Sequence, residues 1–237
     1  MIYLRKRKLL FACILLVIAI IFSVGDTFAY KVFEFTTVSD IVKKVKKRFS
    51  ELDSYQADFK IVSEKMGNKA NKNGRIYYKA ANKMLIDFAN PPGQRIVSDG
   101  KKMWVYIQSM NVVAEQDLKS DSTSIFSAAT SKGMKKLFSK YHYRFASKSQ
   151  PEKQPDGSMQ YTLYLKQRES RSGFRNIKLW ISEDFLIKKA YGESSTGKFI
   201  EITFNNIKTD IVLSGGMFQF DIPSQAKIIR NPMISEE

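Results

Sequence analysis

Gly74-Arg75-Ile76-Tyr77-Tyr78-Lys79, Met84-Leu85-Ile86-Asp87-Phe88, Ile96-Val97-Ser98-Asp99-Gly100-Lys101-Lys102-Met103-Trp104-Val105-Tyr106-Ile107 and Val112-Val113-Ala114-Glu115-Gln116 follow one another between residues 74 and 117. Apolar and aromatic residues recur at alternate positions, and turn-forming residues separate the runs. Successive side chains of a strand point to opposite faces, so this period of two predicts a series of β-strands. Asp99-Gly100 reads as a hinge. Glycine adopts positive φ freely and aspartate tolerates it, so the pair predicts a two-residue type I′ turn between directly paired strands.

Upstream, Val38, Ile41, Val42, Val45, Phe49 and Leu52 fall at helical spacing, with Lys43, Lys44, Lys46, Lys47 and Arg48 on the other face. They predict one amphipathic helix over roughly 39–52, with Ser39 as N-cap. Tyr55, Ala57, Phe59 and Ile61 then alternate as a first strand, and 67–74 read as a turn or loop. Downstream, 118–140 break the alternation. Their apolar positions predict two short helices parted at Gly133. Strands return over 141–146, 161–166, 177–182, 187–191 and 199–204, with 147–158 as a long connection and Phe218-Gln219-Phe220 in a last short strand. The order predicts a mainly β, α+β fold: one strongly curved sheet of about 10–11 strands with helices on its concave face. Ordinary α+β packing reads much the same; the small, apolar inserted segment, which resembles a lid, favours the curved sheet.

The chain has 237 residues, 43% of them hydrophobic, enough for one sizeable core. Arg5-Lys6-Arg7-Lys8 precede Leu9–Val24, a run apolar but for Ser23, and then Thr27-Phe28-Ala29. This pattern predicts a secretory signal over 1–29 and a single domain over 30–237. An uncleaved membrane anchor is the competing reading, although the run is short for a span. Cys13 sits too early in the apolar run for a lipobox. Removing residues 1–29 changes 39 basic and 23 acidic residues to 35 and 22, a net charge of +13. The excess reads as a solvated surface, or as attraction to anionic headgroups or an acidic partner. Beyond a signal peptide, nucleic acid is not the expected partner.

Cys13 is the one cysteine and His142 the one histidine, so neither a disulfide nor a histidine-rich metal site is expected. His142 lies between Tyr141 and Tyr143 and reads as a strand residue. No phosphate loop or paired-carboxylate motif stands out. No catalytic residue, metal or cofactor is assigned; a Ser-Lys hydrolase is the enzymatic alternative.

Val97-Ser98-Asp99-Gly100-Lys101-x-Met103-Trp104-x-Tyr106 resembles the signature hairpin of the LolA family, periplasmic carriers of outer-membrane lipoproteins. Leu52-Asp53-Ser54-Tyr55-x-Ala57-Asp58-Phe59, Gly74-x-Ile76-Tyr77-x-Lys79, Met84-x-Ile86 and Phe218-x-Phe220-x-x-Pro223 resemble further family segments in the same order, from about residue 38 to 225. The resemblance implies an unclosed antiparallel half-barrel whose apolar cavity holds acyl chains. It also implies a periplasmic monomer that accepts acylated lipoproteins from an inner-membrane releasing transporter and delivers them to an outer-membrane acceptor or to the membrane itself. A lipid or lipoprotein sensor, or a glycolipid-binding module, is the alternative on the same fold.

Candidate cavity residues are Phe59, Ile76, Tyr78, Met84, Ile86, Phe88, Trp104 and Tyr106. The candidate lid contributes Ile125, Phe126, Leu137 and Phe138. Two positions depart from the family. An arginine of the second strand that holds the lid is replaced by Ala80, with Lys79 and Arg75 nearby, and a bulky aromatic of the third strand by Met84.

Overall fold

The computed structural model describes residues 36–118, 131–169 and 173–231, all within one compact unit spanning Thr36–Glu237. Helix α1 (Val38–Glu51) opens it. Its N-cap is Thr37 rather than Ser39. The Thr37 Oγ1 accepts from the Asp40 amide, while the Asp40 carboxylate accepts from the Thr37 amide, a reciprocal capping box. Both orphan donors are thereby satisfied, and the cap falls two residues earlier than the apolar periodicity suggests.

Strands β1 (Ser54–Lys65), β2 (Asn68–Lys79), β3 (Lys83–Asn90), β4 (Gln94–Asp99), β5 (Lys102–Ile107) and β6 (Val112–Asp117) form an antiparallel meander. Helix α2 (Ser131–Lys140) follows, then β7 (Tyr141–Phe145), β8 (Glu152–Lys153), β9 (Met159–Gln167), β10 (Phe174–Ser182), β11 (Ile187–Ser194) and β12 (Phe199–Thr209). A 3₁₀ turn, Gly215–Phe218, and β13 (Lys227–Arg230) complete the described chain.

The thirteen strands lie in one sheet of order β13-β6-β5-β4-β3-β2-β1-β12-β11-β10-β9-β7, with β8 beside β9. β1 pairs with β12, which joins the two meanders, and β13 and β7 do not pair with each other. The sheet is therefore open, an unclosed half-barrel as the strand pattern implies. Every pairing is antiparallel except β13 on β6.

Three local expectations are corrected. Residues 68–74 are not a loop: they carry strand β2 out to a turn at Met66-Gly67, because Lys65 pairs with Asn68 and every residue inward stays in register. Asp99-Gly100 is not a type I′ turn. Only Gly100 has positive φ, and the Asp99 Oδ1 accepts from the amides of Lys101 and Lys102, stretching the loop until Ser98 pairs with Met103. Phe218-Gln219-Phe220 is not a strand; the last strand is β13, nearer the C-terminus. The connection over 147–158 also contains β8. Of the expected helical pair, the Ser131–Lys140 part is a helix and the remainder lies outside the described residues, as do residues 1–29.

The inner face of the sheet forms the core with the helices. Ile41, Val42, Val45 and Phe49 of α1, with Met134 and Phe138 of α2, join Tyr55, Phe59, Ile76, Met84, Ile96, Leu163, Leu179 and Ile181 in one buried cluster. α1 is also held from its polar side. Arg48 donates to Thr209 Oγ1 at 3.1 Å, and the Lys44 ammonium lies 5.2 Å from the Phe185 ring centre.

Candidate functional site

The apolar inner face is the candidate site. Cross-strand pairing sets its membership. Phe59 pairs with Gly74 and Gly74 with Phe88; Ala57, Ile76, Ile86, Ile96 and Val105 form the next row, and Tyr55, Tyr78, Met84, Ser98 and Met103 the row after. On the other side of β1, Phe59 pairs with Phe204 and Ile61 with Ile202. Five candidate cavity residues, Phe59, Ile76, Tyr78, Met84 and Ile86, are brought together here and buried; Phe88 joins them half-buried.

Burial falls along the strands towards the β1–β2 hairpin. Met103 is buried and Val105 half-buried. Met84 and Ile86 are buried, Phe88 half-buried. Tyr55 and Phe59 are buried, Ile61 half-buried. The inner face is thus sealed by α1 and α2 at one end of the strands and retains accessible apolar side chains at the other. Val105, Ile61 and Phe204 are members that sequence reasoning missed.

The two remaining candidates lie elsewhere. Trp104 and Tyr106 project from the outer face, where their rings lie 6.0 and 5.9 Å from that of Phe220. There Phe218 is almost fully buried, as are Val97 and Val113 of the outer face. The C-terminal segment thus covers the outer face of β3–β6 with a second, smaller apolar layer. It is fastened by Lys79, whose Nζ donates to the Leu213 carbonyl at 2.8 Å. A cleft of about 520 Å³ between segment and sheet is lined by Arg95, Tyr106, Gln108, Phe220 and Asp221 among others.

Of the candidate lid, Phe138 is buried in α2 with its ring edge-on to Tyr143 at 5.9 Å, and Leu137 is half-buried against the core. Ile125 and Phe126 lie outside the described residues. None of the three residues at the family's arginine position turns towards the helices with a charge. The Ala80 amide donates to the Asp53 carbonyl, and Lys79 and Arg75 belong to the outer phase of β2. Arg75 Nε donates to Asp58 Oδ1 at 2.7 Å on that outer face.

The inner face is electrically quiet. Burial pushes the Tyr55, Tyr78 and Tyr141 hydroxyls up, so each stays neutral. Ser98 Oγ donates to the Asn82 carbonyl at 3.1 Å, so this buried hydroxyl is satisfied within the protein. Among the described residues there is no cluster of three or more His, Cys, Asp or Glu able to hold a metal, and no helix long and apolar enough to cross a membrane.

An open antiparallel half-barrel, helices sealing one end of an apolar face and leaving the other accessible, defines a class of protein built to present apolar surface inside a water-soluble shell. A family model described as outer membrane lipoprotein carrier protein LolA matches residues 50–221. The chain belongs to the LolA family. An outer-membrane lipoprotein carrier protein of Francisella tularensis subsp. novicida is 23% identical over 215 residues, covering 88% of this chain and 92% of that one. A Methanocaldococcus jannaschii protein is 22% identical over 190 residues; this chain spans about half of its length, 53%. The crystal structure of a conserved protein from Thermus thermophilus superposes with a TM-score of 0.54 at 16% identity, covering 81% of this chain and 98% of the other.

Proposed function

We propose that this protein is a non-enzymatic carrier that takes up the acyl chains of lipoproteins on its inner face and moves them across the periplasm, from the inner to the outer membrane. The observation that carries the reading is the gradient of burial on that face, from sealed core under the helices to half-exposed Ile61, Phe88 and Val105 at the hairpin end. Family membership and the Francisella relative support it.

The energetics are consistent with such a task. Each CH₂ removed from water is worth about 0.8 kcal/mol, so one C16 chain carries on the order of 12 kcal/mol. A carrier needs comparable apolar area yet has to release its load, and a fully complementary pocket would hold it too tightly. A face that is partly core and partly accessible meets both demands. Met84, Phe88 and Phe59 are proposed to contact the chains, with α2 and its preceding segment as the lid. The proposed partners are acylated lipoproteins, an inner-membrane releasing transporter and an outer-membrane acceptor or the membrane itself.

The test is extraction. The chain from residue 30 is incubated with membranes bearing a labelled lipoprotein and then separated from them. Labelled lipoprotein in the soluble fraction, bound to the protein, is expected. No extraction, together with native protein that copurifies without acylated cargo, overturns the reading. Copurification of a glycolipid alone would point to a binding module of the same fold instead.

A further inference from the structure

The β1–β2 hairpin ends in Met66-Gly67, with φ of 51° and 79°. Lys65 pairs with Asn68 across them. Both central residues have positive φ, the geometry of a type I′ turn. Asn-Gly and Asp-Gly suit such a turn, because a short polar side chain tolerates the left-handed region and is soluble there. Methionine has neither property. Met66 is 85% exposed, the second most exposed large apolar side chain among the described residues. Its position therefore carries two costs, left-handed backbone and apolar surface in water, and so little burial within the protein offsets neither. A methionine at this position is explained by something outside the chain.

The surroundings say what. Lys65 and Lys69 flank the turn, both exposed, and Lys72 follows further inward along β2, its ammonium 5.7 Å from the Phe88 ring centre. Glu64, at 3.6 Å from Lys69, is the one acidic residue between 59 and 86. Glu64 also pairs with Phe199, so the neighbouring β11–β12 hairpin, with exposed Lys198, ends alongside. The β5–β6 connection turns at the same end of the strands and exposes Met110 at 67%. β2 outreaches β3: Asn73 pairs with Asn90, and five residues, 68–72, continue beyond it. At about 3.3 Å per residue the hairpin projects roughly 16 Å past the β3–β4 turn.

We propose that the β1–β2 hairpin docks this protein on a phospholipid bilayer that carries anionic headgroups, with Met66 entering the interface and Lys65, Lys69 and Lys72 facing the phosphates. A bilayer fits better than a protein partner because the apolar element is a single flexible side chain ringed by cations. That pairing suits a soft interface with negative charge and offers no shaped pocket or flat apolar patch. The projection is at the end where the inner face retains accessible apolar side chains, so docking would bring that opening to the membrane; this last point rests on the carrier reading.

The experiment is sedimentation of the chain from residue 30 with vesicles of phosphatidylcholine containing increasing phosphatidylglycerol. Binding should rise with the anionic fraction and fall as salt is raised. Met66→Asn should weaken binding about tenfold, the order expected for one apolar side chain kept from the interface. Its melting temperature should stay equal or rise, since Asn suits the left-handed turn. Lys65→Glu with Lys69→Glu should abolish the dependence on phosphatidylglycerol. Equal binding of wild type and Met66→Asn, or no binding at any lipid composition, overturns the proposal. Uptake of an acyl chain from detergent micelles separates this from the carrier reading. Met66→Asn with normal micellar uptake and lost vesicle binding supports docking, whereas vesicle binding without any uptake leaves docking in place and removes the carrier.

Discussion

The Phe59 and Phe88 rings meet edge to face, centroids 5.3 Å apart and planes at 80°, although a strand lies between them. They can meet because the residue between them in register is Gly74. A Cβ there would sit 2.1 Å from the Asp87 carbonyl oxygen and 2.9 Å from Phe88 Cα, both backbone atoms that cannot swing aside. Gly74→Ala should therefore destabilise the fold by about 1–3 kcal/mol, the usual range for overpacking, with more if β3 separates from β2. Chemical denaturation with a fluorescence readout measures it. A variant as stable as wild type would mean that the strands can part locally without cost.

Inner-face residues should divide by depth. Met84 and Ile86 are buried, so Met84→Ala or Ile86→Ala should lower stability by about 2–5 kcal/mol. Phe88 and Val105 are half-buried and nearer the open end. Phe88→Asp and Val105→Asp should reduce uptake of a fluorescent acyl chain far more than their stability losses account for. Uptake that tracks stability alone across the four variants would count against a binding role for the open end.

The alternation of residues 74–117 made the strands legible, and parity would have made the faces legible too. A hairpin loop of even length, two residues or the observed four, always pairs odd with even positions. Ile96 and Ser98 must then share a face with Met103 and Val105, whichever loop forms. Trp104 and Tyr106 were grouped with Ile86 on chemical character, and their pairing places them opposite. The 68–72 segment was misread because Lys, Ala and Asn carry no apolar alternation; β1 holds it in strand form by backbone pairing alone. Residues 211–223 cover apolar outer-face side chains, a long-range docking that no local pattern announces.

That outer covering makes its own prediction. Trp104 Nε1 donates to Glu115 at 3.0 Å while its ring stacks on Phe220. Trp104→Ala should loosen the segment from 211 onward, costing about 2–4 kcal/mol and raising amide exchange in β13. Because Trp104 faces away from the helices, acyl uptake measured well below the melting temperature should survive. Loss of uptake with intact exchange protection would instead link the two faces.

Acid sensitivity should come from the outer face as well. Hydrogen bonds from Asn206, at 2.8 Å, and then from Arg75 hold the Asp58 carboxyl below the usual range. Lys102, at 2.9 Å, and then Trp104 do the same for Glu115. A carboxyl depressed on folding contributes stability above its unfolded value, near 4, and that contribution is lost as pH falls through the lower folded value. Lys102 has the opposite sign: Glu115 raises it above its ordinary 10.5, so its contribution holds below that value and is lost as pH climbs past it. The Lys102–Glu115 pair should thus add stability between about pH 5 and 10, and the melting temperature should be flat there before falling on the acid side below about pH 4. Glu115→Gln and Asp58→Asn should each make that acid limb shallower while lowering stability at neutral pH. An acid limb of unchanged slope in both variants would place the sensitivity elsewhere in the chain.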